Sequence, residues 1–203
     1  INYARTFGQH QVTAMVLVNQ REYVDLSAAD SRANIPYRRM GLAGRVTYNF
    51  GERYLVEGNF GYNGSENFKR GKQFGFFPSV SLGWVISNEP FFKVNAINRL
   101  KLRVSHGLVG NDVLGIRFGF LSTINTQGQS YYFGDTQQLY AGMEENAIGN
   151  PNLTWEKSRK TDIGLDLGLF QDRVVLQLDF FKEKRSDILI QRGTIPSATG
   201  IYP

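Results

Sequence analysis

Apolar and polar residues alternate along most of this chain, and the clearest example lies in residues 71–93. One face of that stretch is apolar and the other carries mostly small or polar residues: Val80, Leu82, Trp84 and Ile86 against Ser79, Ser81, Gly83 and Val85. A period of two predicts a β-strand whose two faces meet different surroundings. The same stretch holds six large aromatic rings: Phe74, Phe76, Phe77, Trp84, Phe91 and Phe92. What these rings contact decides the class of protein.

The alternation predicts seven long strands that cover most of the chain. They are residues 10–19, 38–50, 53–64, 71–93, 99–107, 153–169 and 173–190. Helical periodicity is nearly absent, and only residues 141–147 are predicted to form a short helical turn. We also expect residues 116–124 to pair with residues 130–133 as an extra hairpin. The predicted fold class is therefore all-β, with antiparallel strands.

The connections between the predicted strands are of two kinds. Residues 50–53 and 170–173 leave room only for tight hairpin turns, whereas residues 20–37, 65–73 and 108–152 form long polar connections. Short turns at one end and long loops at the other are typical of an outer-membrane barrel. This plan would place the tight turns in the periplasm and residues 108–152 outside the cell.

Three environments compete for the apolar faces: the core of a soluble domain, membrane lipid, and stacked nucleic-acid bases. The segments 153–169 and 173–190 exceed the usual length of soluble strands, and the polar faces carry many small residues. Aromatic residues gather near the predicted strand ends, as they do at the two interfaces of a membrane. Lipid is the preferred environment, although Trp84 is predicted to lie deeper than the outer interface.

The other two environments fit less well. A nucleic-acid surface is disfavoured because the aromatic face around Trp84 carries no basic residue. A soluble all-β module that binds carbohydrate or protein remains the alternative. The chain contains no apolar run long enough for a transmembrane helix. Single-chain bacterial barrels have an even number of strands, so seven strands predict that the remaining ones lie outside these residues.

Composition and candidate chemistry add little to this picture. The net charge of +5 is dispersed, and the absence of cysteine excludes thiol chemistry and Cys-based metal sites. Asp162 and Asp166 lie on one strand face about 13 Å apart, which is too far for a glycosidase pair. His10 and His106 belong to different segments, and no third metal ligand is evident. We therefore predict no enzyme activity, no catalytic or metal site and no cofactor.

Loop side chains are the remaining candidates for contact with a substrate. Tyr131, Tyr132 and Tyr140 lie in the predicted outer loop. Their rings could stack on sugars, pack on one another or pack on a protein cap. Glu144 and Glu145 in the same loop are weaker candidates for a calcium site. The substrate-binding residues are otherwise unknown.

Four ordered motifs carry a family resemblance over about residues 40–200. They are GRVTYNF (44–50) with RYLVEGNF (53–60) and YNGS (62–65); GFFPSVSLGW (75–84) with EPFF (89–92); LKLRVSHGLVGN (100–111); and GNPNLTWEKS (149–158) leading into DIGLD (162–166). Their order and spacing resemble the SusC/RagA family of TonB-linked outer-membrane transporters of the Bacteroidetes.

The resemblance implies a plugged barrel of about 22 strands in the cell outer membrane, importing oligosaccharides or peptides. It implies a SusD-like surface lipoprotein as partner, TonB as the energy source, lipid around the wall, and no nucleic acid. Residues 1–203 would form one partial barrel domain with about seven membrane strands and the long extracellular loop near 108–152. The plug domain and the TonB box would be absent from these residues, being N-terminal in the family.

Overall fold

The computed structural model describes residues 1–24, 34–115 and 117–190, which form twelve strands and one short 3₁₀ helix. The strands are β1 (Asn2–Phe7), β2 (His10–Tyr23), β3 (Tyr37–Phe50), β4 (Tyr54–Ser65), β5 (Phe74–Val85), β6 (Ile97–Asn111), β7 (Thr123–Asn125), β8 (Ser130–Phe133), β9 (Gln138–Ala141), β10 (Glu144–Ala147), β11 (Glu156–Leu169) and β12 (Val174–Ser186). The predicted all-β antiparallel class is confirmed. No helix in these ranges is long and apolar enough to cross a membrane.

Eight strands form one continuous sheet in the order β1-β2-β3-β4-β5-β6-β11-β12. Every neighbouring pair is antiparallel, and β11 pairs with β6 over their whole lengths, from Glu156 opposite Asn111 to Leu169 opposite Ile97. The edge strands β1 and β12 each have one partner, so the described sheet is open at both edges.

Each predicted strand has a counterpart in this sheet, with shifted ends. β5 is shorter than residues 71–93 because the chain turns into the 3₁₀ helix Ile86–Asn88. β1 was not predicted, since Arg5 interrupts the otherwise aromatic face that Tyr3 and Phe7 share. The pattern recognises long strands with an unbroken apolar face and misses a short one with a charge in its middle.

The predicted hairpins at 50–53 and 170–173 are confirmed. Their central residues all have positive φ, as a type I′ turn requires: Gly51 (55°), Glu52 (55°), Gln171 (61°) and Asp172 (60°). The turn between β1 and β2 and the β5–β6 connection lie at the same end of the sheet, which we call the tight-turn end. The opposite end of the sheet, where β2, β4 and β6 finish and β3, β5 and β11 begin, is the long-loop end.

Two predictions inside the longest connection are wrong. β8 pairs with β9 rather than with residues 116–124, so that Tyr131 lies opposite Tyr140. Residues 141–147 are not helical, because β10 occupies most of them and pairs with β7. The β8–β9 hairpin is local, whereas β7 and β10 pair on either side of it, and a short helical pattern could not compete with this strand pairing. Residue 116 itself lies outside the described residues.

The apolar face of the sheet is exposed over its whole width. Large apolar side chains more than one-third exposed recur along it: Val16, Val18, Met40, Leu42, Val46, Val56, Val80, Leu82, Val104, Ile163, Leu176 and Leu178. A contiguous apolar surface of this size is not compatible with water, and marks contact with lipid or protein.

Aromatic rings border this apolar face at both ends. Near the tight turns lie His10, Phe50 and Tyr54. The ring centroid of Phe50 is 4.8 Å from that of His10 and 6.3 Å from that of Tyr54. Near the long loops, Tyr62 stacks on Phe74 with centroids 5.1 Å apart. From Tyr54 to Tyr62 is about 27 Å along the strand at ~3.4 Å per residue. A tilt of about 40° reduces this to ~21 Å, close to the ~25 Å apolar band of outer-membrane barrels.

Two further aromatic residues at the long-loop end, Phe77 and Trp155, are buried and do not belong to the exposed aromatic border. Phe77 is on the opposite face of β5 from Phe76, and both it and Trp155 are buried. Their rings pack edge to face, with centroids 5.2 Å apart, and Phe68 and Leu153 complete a small core at the long-loop end. Side chains alternate along β5, so Phe77 points to the opposite face from Phe74 and Phe76, which face outward.

Trp84 lies at the tight-turn end, not deep in the apolar band. It is the second-last residue of β5 and pairs with Tyr54, the first residue of β4. Its Nε1 donates a hydrogen bond of 3.0 Å to Glu89 Oε1, and Glu89 is only 7% exposed. The predicted strand runs to residue 93, whereas β5 ends at Val85. The prediction therefore placed Trp84 too far from the tight-turn end.

The pairing of β5 with β6 ends next to Pro78, whereas the pairing of β5 with β4 continues past it. The β4–β5 pairing continues through Phe60 opposite Pro78 to Phe74, whereas the β5–β6 pairing stops at Ser79 opposite Gly107. Proline has no N–H to donate, so β5 and β6 separate beside it. The buried core of Phe68, Phe77 and Trp155 fills the region beyond.

Candidate functional site

The polar face of the sheet forms an open cleft of about 500 Å³, lined by side chains of β2 to β6 and β11. Its inward-pointing residues follow the register of the sheet: Asn49, Glu57, Ser81, Lys101, Arg103, Ser105 and Asp162. Polar and charged groups therefore cover the face opposite the apolar band. This is the arrangement of a barrel wall whose other side borders water or protein.

Arg103 is the best-held charge on this face. Its Nε donates to Asp166 Oδ2 at 3.1 Å and its Nη2 to Asp166 Oδ1 at 3.0 Å, a bidentate pair. Nη2 also reaches Asp179 Oδ1 at 2.8 Å on the next strand. The carboxylate of Asp166 is thus held by Arg103. Asp162 lies on the same face of β11 and takes no part in these hydrogen bonds.

A second polar network closes the long-loop end of the sheet. Asp112 is only 7% exposed; its Oδ1 is 2.8 Å from Arg39 Nη2, and its Oδ2 accepts a 2.7 Å hydrogen bond from Tyr37. Asn67 Nδ2 donates to the Asp112 carbonyl at 3.0 Å. Asp112, at the end of β6, therefore holds β3 through its carboxylate and the β4–β5 loop through its main-chain carbonyl.

The fourth motif joins the same region. Trp155 Nε1 donates to the Gln73 carbonyl at 3.0 Å, and Lys72 Nζ donates to Asn152 Oδ1 at 3.0 Å and to the Pro151 carbonyl at 3.3 Å. Segments far apart in sequence meet here, so the long-loop end is a tied surface rather than a set of separate loops. The sequence does not predict this network, because the register across five strands is not visible in any single pattern.

The three tyrosines singled out from the sequence lie on one small hairpin and are all exposed. Tyr131 and Tyr140 are direct cross-strand partners, so their rings share a face. Phe133 lies on that face too, with its ring centroid 5.9 Å from that of Tyr140. Tyr132 pairs with Leu139 and points to the other side. The structure thus brings two of the three candidates together.

Metal-ligating groups are not clustered in residues 1–24, 34–115 and 117–190. The Nδ1 atoms of His10 and His106 are each 2.8 Å from a hydroxyl oxygen, of Tyr48 and Thr161 respectively. Glu144 Oε1 accepts a hydrogen bond of 3.1 Å from Asn125 Nδ2. Each of these side chains has an ordinary protein partner.

Comparison with known proteins identifies the family. A family model described as TonB dependent receptor-like, beta-barrel, matches residues 2–202. The chain belongs to the TonB-dependent receptors. The TonB-dependent receptor SusC of Bacteroides thetaiotaomicron is 36% identical over 149 residues, which is 72% of this chain and 15% of that protein. The TonB-dependent receptor P39 of Formosa agariphila is 29% identical over 225 residues, covering 98% of this chain and 21% of P39.

Solved structures show the same fold. The RagAB peptide transporter superposes with a TM-score of 0.78 at 21% identity, covering 99% of this chain and 24% of the matched chain. The RagAB peptide importer in its closed-closed state gives 0.79 at 20% identity. The SusC/RagA resemblance is thereby confirmed, and the sheet is part of an outer-membrane β-barrel. A soluble all-β module is excluded. The chain spans only about one-sixth to one-quarter of the matched proteins.

Proposed function

We propose that this sheet is a section of the wall of a TonB-dependent importer that carries oligosaccharides or peptides across the outer membrane. The observation that supports it most is the division of one continuous eight-stranded sheet into an apolar, aromatic-bordered face and a polar, charged face. Lipid meets the first face, and a water-filled or plugged interior meets the second. TonB supplies the energy through a part of the protein other than this sheet.

We place the partner lipoprotein, which is SusD-like, at the long-loop end. Buried Asp112 and the Trp155 core hold these loops in one arrangement, so a cap would meet a preformed surface. Preformed surfaces bind with less ordering cost than mobile loops do. The tight-turn end accordingly faces the periplasm.

Within that surface, Tyr131 and Tyr140 form the proposed contact for a sugar ring or a peptide side chain. Their pairing on one hairpin face offers two exposed rings side by side. Replacing both, in Tyr131→Ala/Tyr140→Ala, should raise the substrate concentration needed for half-maximal uptake severalfold. Tyr132→Ala, on the other face, is the matched control. Equal effects from both faces would contradict this assignment.

The function is tested on the full-length protein in cells. Uptake of a labelled oligosaccharide mixture and a labelled peptide mixture is compared between wild-type cells and cells lacking the protein, with and without TonB. We expect uptake of one class to need both, and a surface lipoprotein to co-purify in detergent. An outer-membrane protein that takes up neither class, and binds no lipoprotein, would contradict the proposal.

A further inference from the structure

Three basic side chains lie on the lipid-facing side of the sheet near its long-loop end. In β12, Phe180 faces outward opposite Ile163, and Lys182 and Lys184 follow two and four residues later on the same face. In β11, Arg159 is the cross-strand partner of Lys184. All three are exposed. We call Arg159, Lys182 and Lys184 the basic patch.

The height of the patch matches the outer border of the apolar band. Lys182 is the ninth residue of β12, and Tyr62 of the long-loop aromatic border is the ninth residue of β4. Both strands start from a tight turn, so equal counts correspond to similar heights above the tight-turn end. The patch therefore begins where hydrocarbon gives way to lipid headgroups.

No acidic group neutralises the patch within the described part of the chain, where no ion pair involves any of its three members. The nearby Lys157 is already 3.2 Å from Asp187. The inner face at the same height is different, because Glu183 lies 2.7 Å from Arg185 and 3.9 Å from Lys160. Charges are balanced towards the barrel interior and unbalanced towards the membrane.

The arrangement of the patch also favours a bound anion. Arg159 and Lys184 are directly opposite each other, and like charges in that position destabilise a sheet. His106 and Thr161, hydrogen-bonded at 2.8 Å, lie on the same face beside Lys182 and add polar groups at its lower edge. An anion held between the cations would relieve their repulsion.

We propose that the basic patch binds the phosphate group of a lipid in the outer leaflet of the outer membrane. Guanidinium and ammonium groups are the usual protein ligands of phosphate, and basic clusters beside a membrane span attract anionic headgroups. The apolar residues below the patch, Phe180 and Ile163, would contact the acyl chains of the same lipid. The inference rests on the proposed orientation, with the tight turns in the periplasm.

The test measures lipid binding to the full-length protein in zwitterionic detergent. Wild type, Lys182→Gln/Lys184→Gln and the control Lys69→Gln/Arg70→Gln are titrated with monophosphorylated lipid A, and complexes are counted by native mass spectrometry. The control removes the same charge from an exposed loop. We expect roughly 30-fold weaker binding to the patch variant, from about fivefold per basic residue at an anionic surface, and no change in the control.

Each other result overturns the proposal. Equal binding to both variants, or no binding to wild type, would show that the basic patch is not a lipid-binding site. Full displacement of the lipid by an equal concentration of inorganic phosphate would show an unspecific anion site instead of a lipid site. Orientation is read separately, by labelling Lys69→Cys on intact cells with an impermeant thiol reagent. A wrong orientation is thus distinguished from a missing site.

Discussion

Glu89 shows what a single carboxylate does at the tight-turn end. It lies outside the strands, accepts hydrogen bonds from Trp84 and Tyr54, and is 3.5 Å from Arg53 Nη1. The hydrogen bond from Tyr54 acts most strongly, and together with those from Trp84 and Arg53 it holds the pKa of Glu89 below its usual value. Glu89 thus fixes Trp84 at the tight-turn end from a position four residues beyond the end of β5.

The lowered pKa of Glu89 predicts a pH-dependent contribution to stability. A carboxylate with a lower pKa in the folded than in the unfolded state stabilises the fold above its unfolded pKa of about 4.3, and the gain is lost as pH falls through the lowered folded pKa. Glu89→Gln should therefore lower the temperature of the gel-mobility shift at pH 7, with the difference shrinking towards pH 3. Asp135→Asn, at an exposed turn, should change little; a pH-independent difference for Glu89→Gln would contradict the assignment.

Gly110 predicts a steric effect in the small core. A Cβ added there would lie 2.0 Å from Cζ of the Phe77 ring, so Gly110→Ala must displace the ring from Trp155. We expect a loss of about 1–3 kcal/mol in unfolding free energy, measured by urea titration of the full-length protein in detergent. Gly58→Ala, where no atom lies within 4 Å, is the control. A stable Gly110→Ala variant would show that the core is not packed as described.

At the scale of elements, alternation and turn length predicted most of the fold. Residues 38–50 and 53–64 correspond to β3 and β4 within one residue, because an unbroken apolar face and a turn of only three residues leave little freedom of register. The prediction failed at Phe77, whose side chain points to the opposite face from its aromatic neighbours, and inside residues 112–155. There several short strands compete for partners, and local sequence does not decide among them.

The turn between β3 and β4 gives a prediction at this scale. Gly51 has φ of 55°, a conformation that β-branched residues adopt only with strain. Gly51→Val should cost about 1–2 kcal/mol and slow assembly of the barrel, whereas Gly51→Asn should be tolerated, because asparagine enters this conformation readily. Folding is followed by the appearance of the heat-modifiable band. Equal behaviour of the two variants would mean that the turn does not limit folding.

At the scale of the whole molecule, the sheet is a section of a larger β-barrel. Its edges β1 and β12 each lack a second partner among the described residues, and backbone groups within lipid must be hydrogen-bonded inside the protein. The matched relatives are several times longer than this chain. Alternation and the four motifs predicted the membrane-facing side and the family. The tied loops and the basic patch could not be predicted, since each needs the register of non-adjacent segments.

The central claim is that the face of Val80 and Leu82 meets lipid while Ser79 and Ser81 face the interior. These residues of β5 can be tested one at a time as single cysteines in the full-length protein, with any cysteine outside residues 1–203 replaced by serine, since residues 1–203 contain none. Each carries a spin label, and its collisions with oxygen and with a water-soluble nickel complex are compared in lipid bilayers. The account predicts high oxygen and low nickel exposure at Val80 and Leu82, and the reverse ratio at Ser79 and Ser81. Exposure that does not alternate, or nickel access at Val80 and Leu82, would contradict it.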